Sequence, residues 1–322
     1  MPQTPPTSLR IHRHAGLAPG PKLIVLGAVH GNEVCGTEAI MRILGELDAG
    51  ALPITRGAVT FVPIVNPLAY QLKRRQGDRN LNRNLEPKAS PQDFEDRIAS
   101  VLCPLLAEHD VLLDLHSFHT AGQPFAMIGP HDNAGSLEAF AHEKAESRLV
   151  AHLGPRRVVE GWMDTYQRGV QRRRASGKAY AENLLDARYG VGTTEYMRTR
   201  GGYGVTLECG QHEDPNAPEV AYRAIRQTLA LLELAPIPLE PARADFDVLR
   251  LADVIDRDSD GDVFARAWAS FDAVKSGETI GTRKDGAVIR APSDGHIVFP
   301  NPNALPGAEW FYFAEKSARV PG

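Results

Sequence analysis

The sequence predicts an α/β fold, with a mixed, largely parallel central sheet flanked by helices and a small β-domain at the C-terminus. Two observations predict it. Short apolar runs alternate with segments of helical periodicity as far as about residue 235, and beyond a proline-rich stretch that periodicity gives way to short alternating runs.

The first run, "KLIVLGAV", ends in a turn, and Asn32 is placed to cap a helix whose inner face carries Ile40, Ile43, Leu44 and Leu47. "GAVTFVPIVNP" is a second strand. Phe94, Ile98, Val101, Leu102, Leu105 and Leu106 trace a helix that Pro104 is expected to kink, ahead of a third strand, "HDVLLDLH". Residues 134 to 153 are expected to form another helix and "YGVTLECG" another buried strand. Ala221, Ala224, Ile225, Thr228, Leu229 and Leu232 form the inner stripe of the helix that follows. The segment "LAPIPLEPARADF" places a boundary near residue 238, dividing a domain of residues 1–238 from a β-rich one of residues 239–322 that packs on the first.

The chain has 322 residues, of which 43% are hydrophobic and 24% charged, enough for a large core and more than one domain. A net charge of −4 argues against a general nucleic-acid binder. No run reaches the roughly 18 apolar residues of a membrane span, and the N-terminal stretch lacks a signal-peptide core, so the expected home is the cytoplasm. Cys35, Cys103 and Cys209 are odd in number and widely spaced, which suggests reduced thiols rather than a disulfide framework.

The motif "HGNE" sits where a strand turns into a helix, which places His30 at the carboxyl edge of the sheet and Glu33 in the first helical turn. Open α/β sheets bind ligands at that edge. A third strand end, "LLDLHS", would deliver His116 there, and Asp114, two residues back on the same face, is placed to orient its imidazole. Two histidines and a glutamate suit zinc with one position open. Each histidine alone also reads as a strand-end residue satisfied by a hydrogen bond. Glu208 ends the hydrophobic strand of "VTLECGQH", where a carboxylate is costly unless it is partnered or functional. The stretch "NPLAYQLKRRQGDRNLNRNL" sets Lys73, Arg74, Arg75, Arg79 and Arg83 against one acid, Asp78. It reads as an anionic-substrate site, a solvated loop or a nucleic-acid contact, the last unsupported by aromatic interleaving.

Taken in order, "GAVHGNE", "NP" followed by "RRQGDRNLNR", "DLH" and "TLECG" resemble the succinylglutamate desuccinylase/aspartoacylase family of zinc amidohydrolases with a carboxypeptidase-like fold. The resemblance implies one zinc per chain on His30, Glu33 and His116, with Glu208 as the general base. It implies that Arg75 polarises the scissile carbonyl, that Asn82 and Arg83 hold the α-carboxylate, and that Tyr196 and Arg200 bind an acidic side chain. Arg198 competes for that last role. Asn80 stands where the family has an aspartate, and Gln76 where it often has an aromatic residue. The implied activity is hydrolysis of a small anionic N-acyl amino acid, with the C-terminal domain narrowing the entrance. The basic stretch of residues 167–178 reads either as an entrance lining or as a solvated surface. No membrane or nucleic-acid partner is expected, and a homo-oligomer remains open.

Three other readings compete with this one. A metallocarboxypeptidase shares the zinc logic but needs an open cleft for a peptide. A zinc-bearing protein without catalysis would lack the base. "DRDSDGD", residues 256–262, starts like a calcium loop but has Ala267 where the bidentate glutamate belongs.

Overall fold

The structure is a computed structural model that describes residues 5–177 and 180–321. The N-terminal part runs β1 (His12–Ala15), β2 (Ala18–Gly27), α1 (Cys35–Asp48), β3 (Arg56–Val62), α2 (Pro67–Gln71), α3 (Phe94–Ala107) and β4 (Val111–Phe118). It continues through β5 (Phe125–Met127), α4 (Glu143–Val150), β6 (Arg157–Glu160), α5 (Trp162–Ala175), α6 (Thr193–Thr199), β7 (Tyr203–Gln211) and α7 (Ala217–Leu231). The C-terminal part is β8 (Asp247–Asp256), β9 (Val263–Phe264), β10 (Ala273–Val274), β11 (Thr279–Thr282), β12 (Val288–Arg290), β13 (Gly295–Val298) and β14 (Glu309–Lys316).

Eleven strands form one mixed sheet in the order β1-β3-β2-β4-β7-β5-β6-β8-β14-β13-β10. The pairs β3/β2, β2/β4, β4/β7, β5/β6 and β6/β8 are parallel, and the C-terminal strands continue the sheet antiparallel beyond β8. The central strands are buried on both faces, as expected for near-continuous apolar runs covered by helices. On one face α1 and α7 pack over Leu23, Val25, Leu113 and Val205; on the other, α3 and α6 pack over Ile24, Leu26 and Leu112. A separate three-stranded sheet, β12-β11-β9, accompanies the C-terminal strands.

Three local expectations are corrected. The helix after "HGNE" starts at Cys35, its cap position is Val34, and Asn32 instead places its amide 3.3 Å from the ring of His212. Glu33 therefore lies in the turn before the helix. Residues 134 to 153 yield only α4, because Phe140 exchanges two backbone hydrogen bonds with Asn133 and Glu138 is drawn inward to Arg198. The helix α3 includes Pro104 and continues to Ala107.

The basic stretch from residue 167 is mostly structural. Arg173 makes a two-pronged pair with Asp256 at 2.7 and 2.8 Å, Arg172 pairs with Asp253, and Arg168 bonds the Leu251 carbonyl, so the helix is fastened to β8. Lys178, the last residue of the stretch, lies outside the described residues. Asp256 is thus committed to Arg173, and Asp262 accepts from the backbone of residues 258 and 259 and from Arg283, which makes "DRDSDGD" an arginine-braced turn.

Trp310 of β14 is fully buried, stacks on Phe264 at 4.4 Å, and anchors a cluster with Trp268, Ile280, Ile297 and Phe311. Trp310→Ala is expected to lower stability by about 3 to 5 kcal/mol in denaturant unfolding.

Candidate metal centre and active site

Because β2, β4 and β7 are parallel neighbours, their carboxyl ends open on one edge of the sheet. The register sets His116 of β4 directly beside Glu208 of β7. At the end of β2, Ala28 adopts left-handed backbone (φ 48°) and turns the chain out of the sheet. Gly31 follows, where a Cβ would fall 2.0 Å from the Ala69 carbonyl carbon, so the turn rests directly on α2. This path brings His30 and Glu33 over the end of β4.

The donor atoms of His30, Glu33 and His116 lie within 4.8 Å of one another, all three residues are buried, and together they could hold a metal ion. Glu33 divides its carboxylate between the rings: Oε1 is 2.8 Å from His30 Nδ1 and Oε2 is 2.9 Å from His116 Nδ1. The outer nitrogens are held from behind. His30 Nε2 donates to Asn80 Oδ1 at 3.0 Å, and His116 Nε2 faces Asp114 Oδ2 at 2.8 Å. Thr193 donates its hydroxyl to the same oxygen of Asp114.

This geometry fits a cation. Asn80 Oδ1 also accepts the backbone N–H of Asn82, which fixes it as an acceptor and the proton of His30 on Nε2. Burial, aided by Arg75, pushes His30 down to about 4, so its ring is neutral at pH 7 and turns the Nδ1 lone pair toward the Glu33 carboxylate. His30 Nδ1 has no hydrogen bond there. Two electron-rich atoms 2.8 Å apart are stable when a positive charge lies between them. Although burial alone would raise Glu33, the two imidazoles hold it well below the usual carboxylate range. Although burial alone would lower His116, Asp114 and Glu33 raise it.

Glu208 lines the cavity beside this cluster, and its Oε2 is buried without a hydrogen bond. Burial pushes its carboxyl up to about 8, against the pull of His116. Such a group exchanges a proton readily near neutral pH. Arg75 donates from Nη1 to Glu33 Oε1 at 2.8 Å, with half of its side chain exposed toward the opening. Cys209 is buried in the core on the far side of the strand, and all three cysteines are free and buried.

The loop that carries Arg75 is organised by a carboxylate the sequence did not single out. Glu95 is fully buried and accepts from Asn66 Nδ2 and from the backbone N–H groups of Gly77, Asp78 and Arg79. Arg79 braces the loop against Asp93 and Asp96 at 3.0 and 2.8 Å. Arg79 is therefore structural, whereas Asn82 and Arg83 reach the cavity.

The cavity has a volume of about 180 Å³, and Phe299, Asn301, Glu309 and Tyr312 of the C-terminal part form one of its walls. Arg83 lies over the rings of Trp162 and Tyr166, at 4.9 and 5.4 Å, and pairs with Glu309 at 3.3 Å. Tyr166 also donates to Glu309. Distance along the chain hid Glu309, and its only local sign was a charge at the head of an aromatic strand.

The structure does not bring Tyr196 and Arg200 to the cavity. Tyr196 is packed in the core against α3, and Arg200 is exposed and lies over its ring at 4.9 Å. Arg198 does border the cavity. His119 also lines it and bonds the Pro300 carbonyl at 2.9 Å.

The fold of this mixed sheet is similar to those of solved desuccinylases and of an aspartoacylase family protein. A succinylglutamate desuccinylase from Vibrio cholerae matches with a TM-score of 0.71 and 18% identity, over 95% of this chain and 85% of that one. A succinylglutamate desuccinylase/aspartoacylase from Rhodobacter sphaeroides gives 0.70 and 17%, over 97% and 90% of the two chains. The ectoine utilization protein EutE (DoeB) from Ruegeria pomeroyi gives 0.69 and 17%, over 94% and 88%. A comparison with the curated proteins finds no match. The profile of the succinylglutamate desuccinylase/aspartoacylase catalytic domain matches residues 19–234, and the chain belongs to that family of hydrolytic deacylases.

Asp114→Asn should weaken metal binding about 10- to 100-fold in a titration of the metal-free protein, because the amide is a poorer acceptor behind His116. Unchanged affinity would show that Asp114 does not support this ligand.

Proposed function

We propose that the protein is a zinc-dependent hydrolase of the amide bond of a small N-acyl amino acid, with one zinc per chain on His30, Glu33 and His116. The observation that carries the reading is the pairing of that buried cluster with a buried Glu208, on the next strand, whose Oε2 has no hydrogen bond. Bound zinc supplies a Lewis acid and lowers the pKa of water.

Glu208 takes the proton of the attacking water and passes it to the leaving nitrogen, which a carboxyl poised near neutrality can do in both directions. Arg75 is placed to donate to the carbonyl oxygen as charge develops, a contribution of about 3 to 4 kcal/mol for comparable donors. Arg83, with Asn82, positions the α-carboxylate. Asn82 Oδ1 is already bonded to Thr193 N–H, which leaves its amide N–H groups for a substrate oxygen.

The small cavity and its C-terminal wall favour a compact substrate over a peptide, which sets this reading above a metallocarboxypeptidase. The division at residue 238 into a catalytic domain and an entrance-forming C-terminal domain is part of the proposal. So is a cytoplasmic home, supported by three unpaired thiols. Among the described residues no helix is long and apolar enough to cross a membrane.

Glu208→Ala should retain one zinc by elemental analysis while amine release falls by about 10²- to 10⁴-fold. Retained turnover would remove Glu208 as the base.

A further inference from the structure

The tail that follows β14 turns back into the N-terminal part of the chain. The Ser317 N–H donates to the Val248 carbonyl of β8 at 2.9 Å, and its hydroxyl donates to Glu160, the last residue of β6, at 2.5 Å. Arg319 then enters the interior, where its side chain is 3% exposed. Its Nη1 donates to Glu160 at 3.0 Å and to the Gly129 carbonyl at 2.6 Å, and its Nη2 to the Pro130 carbonyl at 3.4 Å. Charge pairing alone does not account for this placement, because a buried Arg–Glu pair contributes little over apolar residues of the same volume. A guanidinium fork can serve one acid and two backbone carbonyls at once, which a lysine ammonium does poorly.

The segment that Arg319 holds lies behind the cavity. Ile128 lines the cavity, and the next residue, Gly129, is fixed from both sides: its N–H by Glu146 Oε2 at 2.7 Å and its carbonyl by Arg319. Arg198, another cavity residue, rests directly on this glycine, where a Cβ would fall 2.4 Å from the Arg198 Nε. The Arg198 Nε and Nη2 also donate to Glu146, at 3.0 and 2.9 Å, so Gly129 and Arg198 share one acid. Contacts therefore run without a break from Arg319 through Gly129 to Ile128 and Arg198. The metal cluster and Glu208 are set by other groups: Asn80, Asp114 and the register of β4 with β7.

We infer that Arg319 is a positioning residue for the cavity wall at Ile128 and Arg198, acting through the Gly129 peptide. It governs how well a substrate is held and not the bond-breaking step. The kinetic form of this inference rests on the deacylase reading.

The test compares two double variants of the zinc-loaded protein, Arg319→Met with Glu160→Gln and Arg157→Met with Asp247→Asn. Each removes one ion pair at β6, and only the first pair reaches Gly129; Arg157 meets Asp247 at 2.7 Å at the opposite end of that strand. The readout is kcat and KM for whichever of N-acetylaspartate, N-acetylglutamate, N-succinylglutamate and Nα-acetyllysine the wild type turns over best. The Arg319 variant should raise KM by about tenfold or more with kcat held within about threefold, while the Arg157 variant changes neither. Arg319→Lys keeps a cation beside Glu160 but loses the fork; it should move KM in the same direction by less, and it carries the test if the double variant does not fold. Unchanged KM, or a loss confined to kcat, overturns the inference and leaves the deacylase reading in place. An equal rise of KM in the Arg157 variant also overturns it, since general loosening of β6 would then suffice. If the wild type turns over no member, the deacylase reading falls, and amide hydrogen exchange of residues 126–132 decides. Exchange faster by about tenfold or more in the Arg319 variant than in both the wild type and the Arg157 variant supports the positioning role, and equal exchange overturns it.

Discussion

The rest of the site depends on one buried carboxylate shared by two imidazoles. Glu33 is almost wholly shielded from water, yet it faces His30, His116 and Arg75 and accepts the N–H of Ser117. A carboxylate in such surroundings persists only where its charge is matched. The matching groups come from different parts of the chain: the turn after β2, the end of β4 and the loop before α3. Asn80 and Asp114 fix the far side of each ring, so the direction of both inner nitrogens is set by groups that never touch a reactant.

The sheet makes this arrangement possible at little local cost. Parallel pairing of β2, β4 and β7 delivers three strand ends to one edge, and the register of β4 with β7 puts His116 and Glu208 side by side. The C-terminal strands then extend the same sheet through β8 and β14 and return Glu309 and Tyr312 to the cavity wall. The cavity is thus assembled from both parts of the chain, with Arg83 and Glu309 paired across them.

His30, Glu33, His116, Asp114 and Glu208 stood out in the sequence because each is a polar residue within an apolar strand or in the turn just beyond one, and parallel pairing carries those segments to one edge of the sheet. The loop arginines were legible only as a group. What separates Arg75 and Arg83, which reach the cavity, from Arg79, which braces the loop, is the partner each one finds: Glu33 and Glu309 for the first two, Asp93 and Asp96 for the third. Tyr196 and Arg200 share a spacing with a family motif, but α6 turns Tyr196 into the core and places Arg198 at the cavity. Glu309 pairs with a residue 226 positions away, a contact no local pattern encodes. The overlong helix at residues 134 to 153 failed for a related reason, since Glu138 answers to Arg198 rather than to helical periodicity.

X-ray absorption at the zinc edge of the stoichiometrically loaded protein tests the central claim most directly, because it reports ligand type independently of turnover. The account predicts a shell of nitrogen and oxygen at about 2.0 to 2.2 Å with the outer scattering of two imidazoles. A sulfur shell at about 2.3 Å would place the metal on a cysteine such as Cys35, and a shell without imidazole scattering would place it away from His30 and His116; either result would contradict the site described for this chain.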